Sequence, residues 1–115
     1  MLTVERLKEY GANVEEGISR CAGNAGLYLR LVGIALRELE STTLGDELKN
    51  GELDRAFASA HKLKGGVANL ALTPILTPLS ALTELLRGKT PGDYAGLFAE
   101  MTEQTKKLLA LTGED

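Results

Sequence analysis

Residues 52–70 read ELDRAFASAHKLKGGVANL, and this stretch decides the fold. Leu53, Ala56, Ala60, Leu63, Val67 and Leu70 follow one another at spacings of three, four, three, four and three, which puts them on one face of a helix. Gly65 and Gly66 therefore fall inside that helix, although each glycine in a helix interior costs roughly 0.5–1 kcal/mol relative to alanine. Either the pair marks close packing against a neighbouring helix, above all at Gly66 near the edge of the core face, or it keeps space free.

The same spacing recurs on both sides. Downstream, Leu72, Ile75, Leu79, Leu82 and Leu86 form a second seam, with Thr73 as N-cap, Pro74 in the first turn, Pro78 one turn in and Gly88 as the stop. A last helix is predicted from Gly92 to Leu111, aligning Tyr94, Phe98, Met101, Thr105 and Leu108 and ending at Gly113. Upstream, Asn24 begins a helix from Ala25 to Leu39 whose apolar residues, Leu27, Leu29, Leu31, Val32, Ile34, Leu36 and Leu39, span an arc wide enough for two packing partners. That breadth also fits simple burial under a cover. A short helical piece through Leu44 and Leu48 ends at Asn50-Gly51, and two more short helices, Thr3–Tyr10 and one capped by Asn13, precede Gly23. The sum is an all-α chain of one domain, residues 1–115: an antiparallel four-helix bundle over residues 24–112, with residues 1–22 as an N-terminal helical cover.

Composition narrows the chemistry. Hydrophobic residues make up 43% and aromatic residues 4%, with no tryptophan, which favours helix over strand. A net charge of −3 lacks the basic footprint of a nucleic-acid binder, so no nucleic-acid partner is expected. The single cysteine, Cys21, and the single histidine, His61, are too few for a structural zinc site. No apolar run approaches membrane-spanning length, and the first ten residues do not resemble a signal peptide. A cytoplasmic domain without direct membrane contact is the expectation, free-standing or as the cytoplasmic part of a larger protein. RGKT at residues 87–90 has the ending of a phosphate-binding P-loop, but Thr83 stands where its first glycine belongs.

His61 lies on the helical wheel far from the core seam and should face solvent. Phe57 and Ala58 are one turn before it, Lys64 and Gly65 one turn after, and Ala68 two turns after. A free imidazole, with an ordinary pKa of about 6.5, is largely neutral at pH 7 and carries a lone pair that can attack phosphorus. Lys64 could offset the charge of a phosphoryl group held there, and Gly65 would leave room for it. Plainer readings stand beside these: a solvated surface histidine, and Phe57 as a flank of the core. No carboxylate marks the surroundings of His61 on its own helix, so no Ser-His-Asp type of hydrolytic site can be assembled.

Taken together, AHKLKGGVANL at residues 60–70 resembles the signature of histidine-containing phosphotransfer (HPt) domains: Ala-His, then Leu-Lys-Gly, then Asn-Leu. The likeness extends to NVEEGISRCAGNAGLYLRLVGIALREL (residues 13–39) and LTELLRGKTPGDYAGLFAEM (residues 82–101), and so covers about Asn13 to Leu111. Ala71 stands where the family often has glycine after Asn-Leu. The resemblance implies that His61 is the phosphoacceptor, Lys64 the cation that stabilises the phosphoryl group and Gly65 the clearance residue, with Phe57, Ala58 and Ala68 on the docking surface. It implies a monomeric phosphorelay intermediate with no kinase activity and no cofactor of its own. Its partners would be response-regulator receiver domains, which supply Mg²⁺, and a hybrid histidine kinase in cis or in trans. Two alternatives remain open: a helical interaction module that is never phosphorylated, and the phosphoacceptor domain of a chemotaxis-type kinase.

Overall fold

In the computed structural model, which describes residues 1–112, the chain forms the helices α1 (Val4–Tyr10), α2 (Val14–Arg20), α3 (Ala25–Ser41), α4 (Leu44–Lys49), α5 (Leu53–Asn69), α6 (Thr73–Arg87) and α7 (Tyr94–Thr112). The expected stop at Gly113 lies outside the described residues. Polar caps start the early helices. The Thr3 hydroxyl accepts from Arg6 N–H at 3.1 Å, Asn13 Oδ1 from Glu16 N–H at 3.2 Å, and Asn24 Oδ1 from Leu27 N–H at 2.9 Å.

Three predicted starts differ, the first by one residue, since Thr3 caps α1 and the helix opens at Val4. Thr73 is the first residue of α6, not its cap; Leu72 holds the cap position with no side-chain hydrogen bond and is fully buried. Burial of the Leu72 side chain, not a capping hydroxyl, fixes where α6 begins. At α7 the helix starts at Tyr94, two residues later than predicted, because the Asp93 carboxylate accepts the Gly96 N–H at 2.8 Å and does the work of an N-cap.

The four long helices close a ring: α3 packs on α5 and α7, and α6 packs on α5 and α7. Residues 70–72 link α5 to α6 and residues 88–93 link α6 to α7, and links this short between helices packed side by side reverse the chain. The predicted seams fill the ring, apart from Leu53, Tyr94 and Phe98, which are half-buried. Ala56, Ala60, Leu63, Val67 and Leu70 are buried on the first, Leu72, Ile75, Leu79, Leu82 and Leu86 on the second, and Met101, Thr105 and Leu108 on the third. Burying each of the leucine, isoleucine, valine or methionine side chains contributes roughly 1.5–3 kcal/mol. Thr83 and Thr105 enter the core by donating to the carbonyls of Leu79 (2.7 Å) and Met101 (2.9 Å), so neither hydroxyl is left unpaired.

The arc on α3 is only partly covered. Val32, Leu36 and Leu39 are buried, Leu27, Leu29 and Leu31 half-buried, and Ile34 is 38% exposed. The largest buried side chain of α3 is one absent from the predicted arc, Tyr28, whose hydroxyl donates to the Leu70 carbonyl at 2.9 Å. Burial pushes its phenol up to about 12, with the neighbouring Cys21 adding to the effect.

The N-terminal helices sit against the α5–α6 link. Asn13 N–H donates to the Ala71 carbonyl at 2.9 Å, and α2 packs on α3 close enough that a Cβ at Gly17 would run into the Tyr28 ring. In turn α1 packs on α7, where Tyr10 donates to the Gln104 carbonyl at 2.9 Å and Arg6 to that of Leu111 at 2.8 Å. Ala71 itself adopts the left-handed conformation, with φ at 55°.

Candidate functional site

The middle of α5 carries His61 outward. Its neighbours on the buried side, Ala60 and Leu63, are held in the core at 0% and 7% exposure, so the helix cannot roll to bury the imidazole. The ring stacks on Phe57, one turn back, with centroids 5.6 Å apart and planes 19° from parallel. Among the described residues no hydrogen bond occupies either ring nitrogen.

Lys64, one turn on, is 30% exposed and points toward α6, where its ammonium lies 3.7 Å from a carboxylate oxygen of Glu84. Glu84 also accepts from Arg87 Nε at 3.3 and 3.4 Å, one contact to each oxygen. The Arg87 guanidinium lies 5.0 Å from the centre of the Phe57 ring. Contacts therefore run from His61 to Phe57, Arg87, Glu84 and Lys64, beginning and ending on α5. The hydrogen bond and charge of Arg87, followed by Lys64, hold the Glu84 carboxyl below the usual carboxylate range.

The wheel of α5 shows no carboxylate beside the site, and α6 adds one, Glu84, beside Lys64. Neither Glu84 nor Arg87 was singled out from the sequence, where the pair is an ordinary i, i+3 couple on an exposed helical face. Only the packing of α6 on α5 brings it to Lys64.

A Cβ added at Gly65 or at Gly66 would meet nothing within 4 Å. Close packing against a neighbouring helix is therefore not why either glycine is small, and that alternative falls for Gly66 too. What remains is open space one turn beyond the imidazole. Of the other expected surface residues, Ala58 is exposed and Phe57 is half-buried between His61 and Arg87. Ala68 is half-buried, its carbonyl accepting from Arg20 of α2 at 3.3 Å.

The site lies on an exposed face of α5. A cavity of about 600 Å³ opens between α4 and the start of α7, lined by Leu48, Tyr94 and Phe98 among others, but it includes no residue of the His61 cluster. What the cluster can do chemically follows from its parts: an accessible ring nitrogen to act as nucleophile, a cation one turn away to balance incoming negative charge, and clear space for a bulky group. Comparison with known protein families, with curated proteins and with solved structures gives no match to this chain.

Proposed function

We propose that this chain is a histidine phosphotransfer domain, with α3, α5, α6 and α7 in the four-helix arrangement of the HPt family and α1 and α2 as its cover. The observation that carries the reading is the open face at Gly65, one turn from an exposed His61 that has no hydrogen bond among the described residues. A solvated surface histidine needs no such gap, and the helix forgoes roughly 1 kcal/mol by having glycine rather than alanine there.

The transfer is an in-line displacement. A receiver domain bearing an aspartyl phosphate docks over α5; the lone pair of a His61 ring nitrogen forms the N–P bond as the P–O bond to the aspartate breaks, and the carboxylate leaves with that electron pair. The ring then sheds the proton from its other nitrogen to solvent. The reverse displacement passes the phosphoryl group to a second receiver. Such chemistry depends mainly on positioning and charge neutralisation, so this domain contributes a nucleophile, Lys64 and a docking surface including Phe57, Ala58 and Ala68. The Mg²⁺ site belongs to the receiver, and the domain has no kinase activity of its own. Operation beside receivers and kinases makes the compartment cytoplasmic.

Receiver domains charged with acetyl phosphate provide the test. Mixed with this chain, a cognate receiver should lose its label to a species that is acid-labile and base-stable, the behaviour of phosphohistidine. A docking-only module would bind a receiver without taking label from it, and that result would contradict the proposal.

A further inference from the structure

Glu84 is placed between two cations, Arg87 on its own helix and Lys64 on the neighbouring one. Arg87 is held over Phe57, and its Nε reaches both carboxylate oxygens of Glu84, so the carboxylate has a defined orientation. Lys64 approaches one of those oxygens from the neighbouring helix at the end of a flexible four-carbon stem. In the free protein the ammonium therefore has a partner on α6 and is directed across the α5–α6 seam.

A phosphoryl group on His61 changes that balance. It brings a charge of about −1.5 to −2 near neutral pH, against −1 on a carboxylate, together with three strong acceptor oxygens. The two anions compete for one ammonium at an exposed position. We propose that Glu84 is a positioning residue for the phosphoryl site: its carboxylate holds Lys64 in the free protein and yields it to the phosphoryl group, so that Glu84 sets how much positive charge the phosphohistidine receives. The inference rests on the proposed phosphotransfer function. By keeping Lys64 partly engaged, Glu84 leaves the phosphohistidine less stabilised and easier to pass on, which suits a carrier that must also give the group away.

The test uses the whole chain and phosphoramidate as donor, so that no receiver contact intervenes. A His61 ring nitrogen forms the N–P bond, the P–N bond of phosphoramidate breaks, and ammonia leaves and takes up the proton that the ring sheds. The phosphoryl group is then titrated by ³¹P NMR in the wild type, Glu84→Gln, Lys64→Ala and the double variant. A cation nearby lowers the titration midpoint of the phosphoryl group. Glu84→Gln should therefore lower it by about 0.2–0.7 pH unit, the size expected of one exposed ion pair, and Lys64→Ala should raise it. In the Lys64→Ala background the Glu84 substitution should have no effect, because Glu84 acts through Lys64. Identical titrations for wild type and Glu84→Gln would overturn the inference, and so would a Glu84→Gln shift that survives without Lys64. Failure of the wild type to form any adduct at His61 is a different result: it removes the phosphotransfer reading itself.

Discussion

At Gly65 an added methyl group would point into open space, whereas at Gly17 it would run into the Tyr28 ring and lie 2.8 Å from the Leu70 carbonyl oxygen. Both glycines are inside helices, and nothing in the letters around them tells the two apart. Gly65→Ala should therefore stabilise the fold, by up to about 1 kcal/mol, since alanine is the better helix former and meets no obstacle. The same methyl group should slow transfer to His61, and Gly65→Gln should slow it further. Stability and activity would then move in opposite directions, as expected where a site gives up local stability for access. Thermal melts and transfer rates on the two variants check this. An unchanged rate per folded molecule in both would contradict the clearance role of Gly65.

At the scale of the element, α2 and the α5–α6 link depend on close approaches. Gly17→Ala should cost about 1–3 kcal/mol by overpacking, pushing α2 off Tyr28 and the Leu70 carbonyl, and denaturant melts would read this directly. Ala71 points the other way. At a φ of 55° it strains a backbone conformation that glycine adopts freely, so Ala71→Gly should stabilise the link by up to about 1 kcal/mol. A loss of stability would mean that the Ala71 methyl group, itself buried, matters more than the strain. The helices were legible because their apolar residues keep helical spacing: the seams on α5 and α6 run without a break from Ala56 to Leu70 and from Leu72 to Leu86. Less legible were features set by which face meets which. Leu72 starts α6 because it is buried, Tyr28 joins the core because the Leu70 carbonyl is there to receive its hydroxyl, and Glu84 reaches Lys64 only across two packed helices. For the same reason His61, Lys64 and Gly65 could be singled out from one helix, while Glu84 and Arg87, the α6 half of the site, could not.

For the whole molecule, the buried phenols make a pH dependence. The ordinary tyrosine pKa is near 10, and Tyr28 is raised to about 12, mainly by burial, so the folded state resists its ionisation. Its contribution to stability is complete below about pH 10 and is lost as the pH rises through about 12. Tyr10, pushed up by burial as well, adds to this alkaline limb. Tyr28→Phe should make the fall in stability above pH 10 shallower. At pH 7 it should cost about 1–3 kcal/mol, because the Leu70 carbonyl loses its donor in a buried place. Melts at pH 8 and pH 11 decide this, and an alkaline limb as steep as that of the wild type would contradict it.

The fold holds one side chain, His61, outward, with no hydrogen bond among the described residues. The most direct test of its role is to treat the wild-type protein and its His61→Gln variant with phosphoramidate and to measure intact mass, with peptide mapping under alkaline conditions. His61→Gln should fold like the wild type, since a surface residue away from caps and core usually changes stability by less than about 0.5 kcal/mol. The prediction is a single phosphoryl adduct on the wild type, mapped to His61 and lost in acid, with none on His61→Gln. Labelling of His61→Gln at the wild-type level, or no labelling of the wild type, would contradict it.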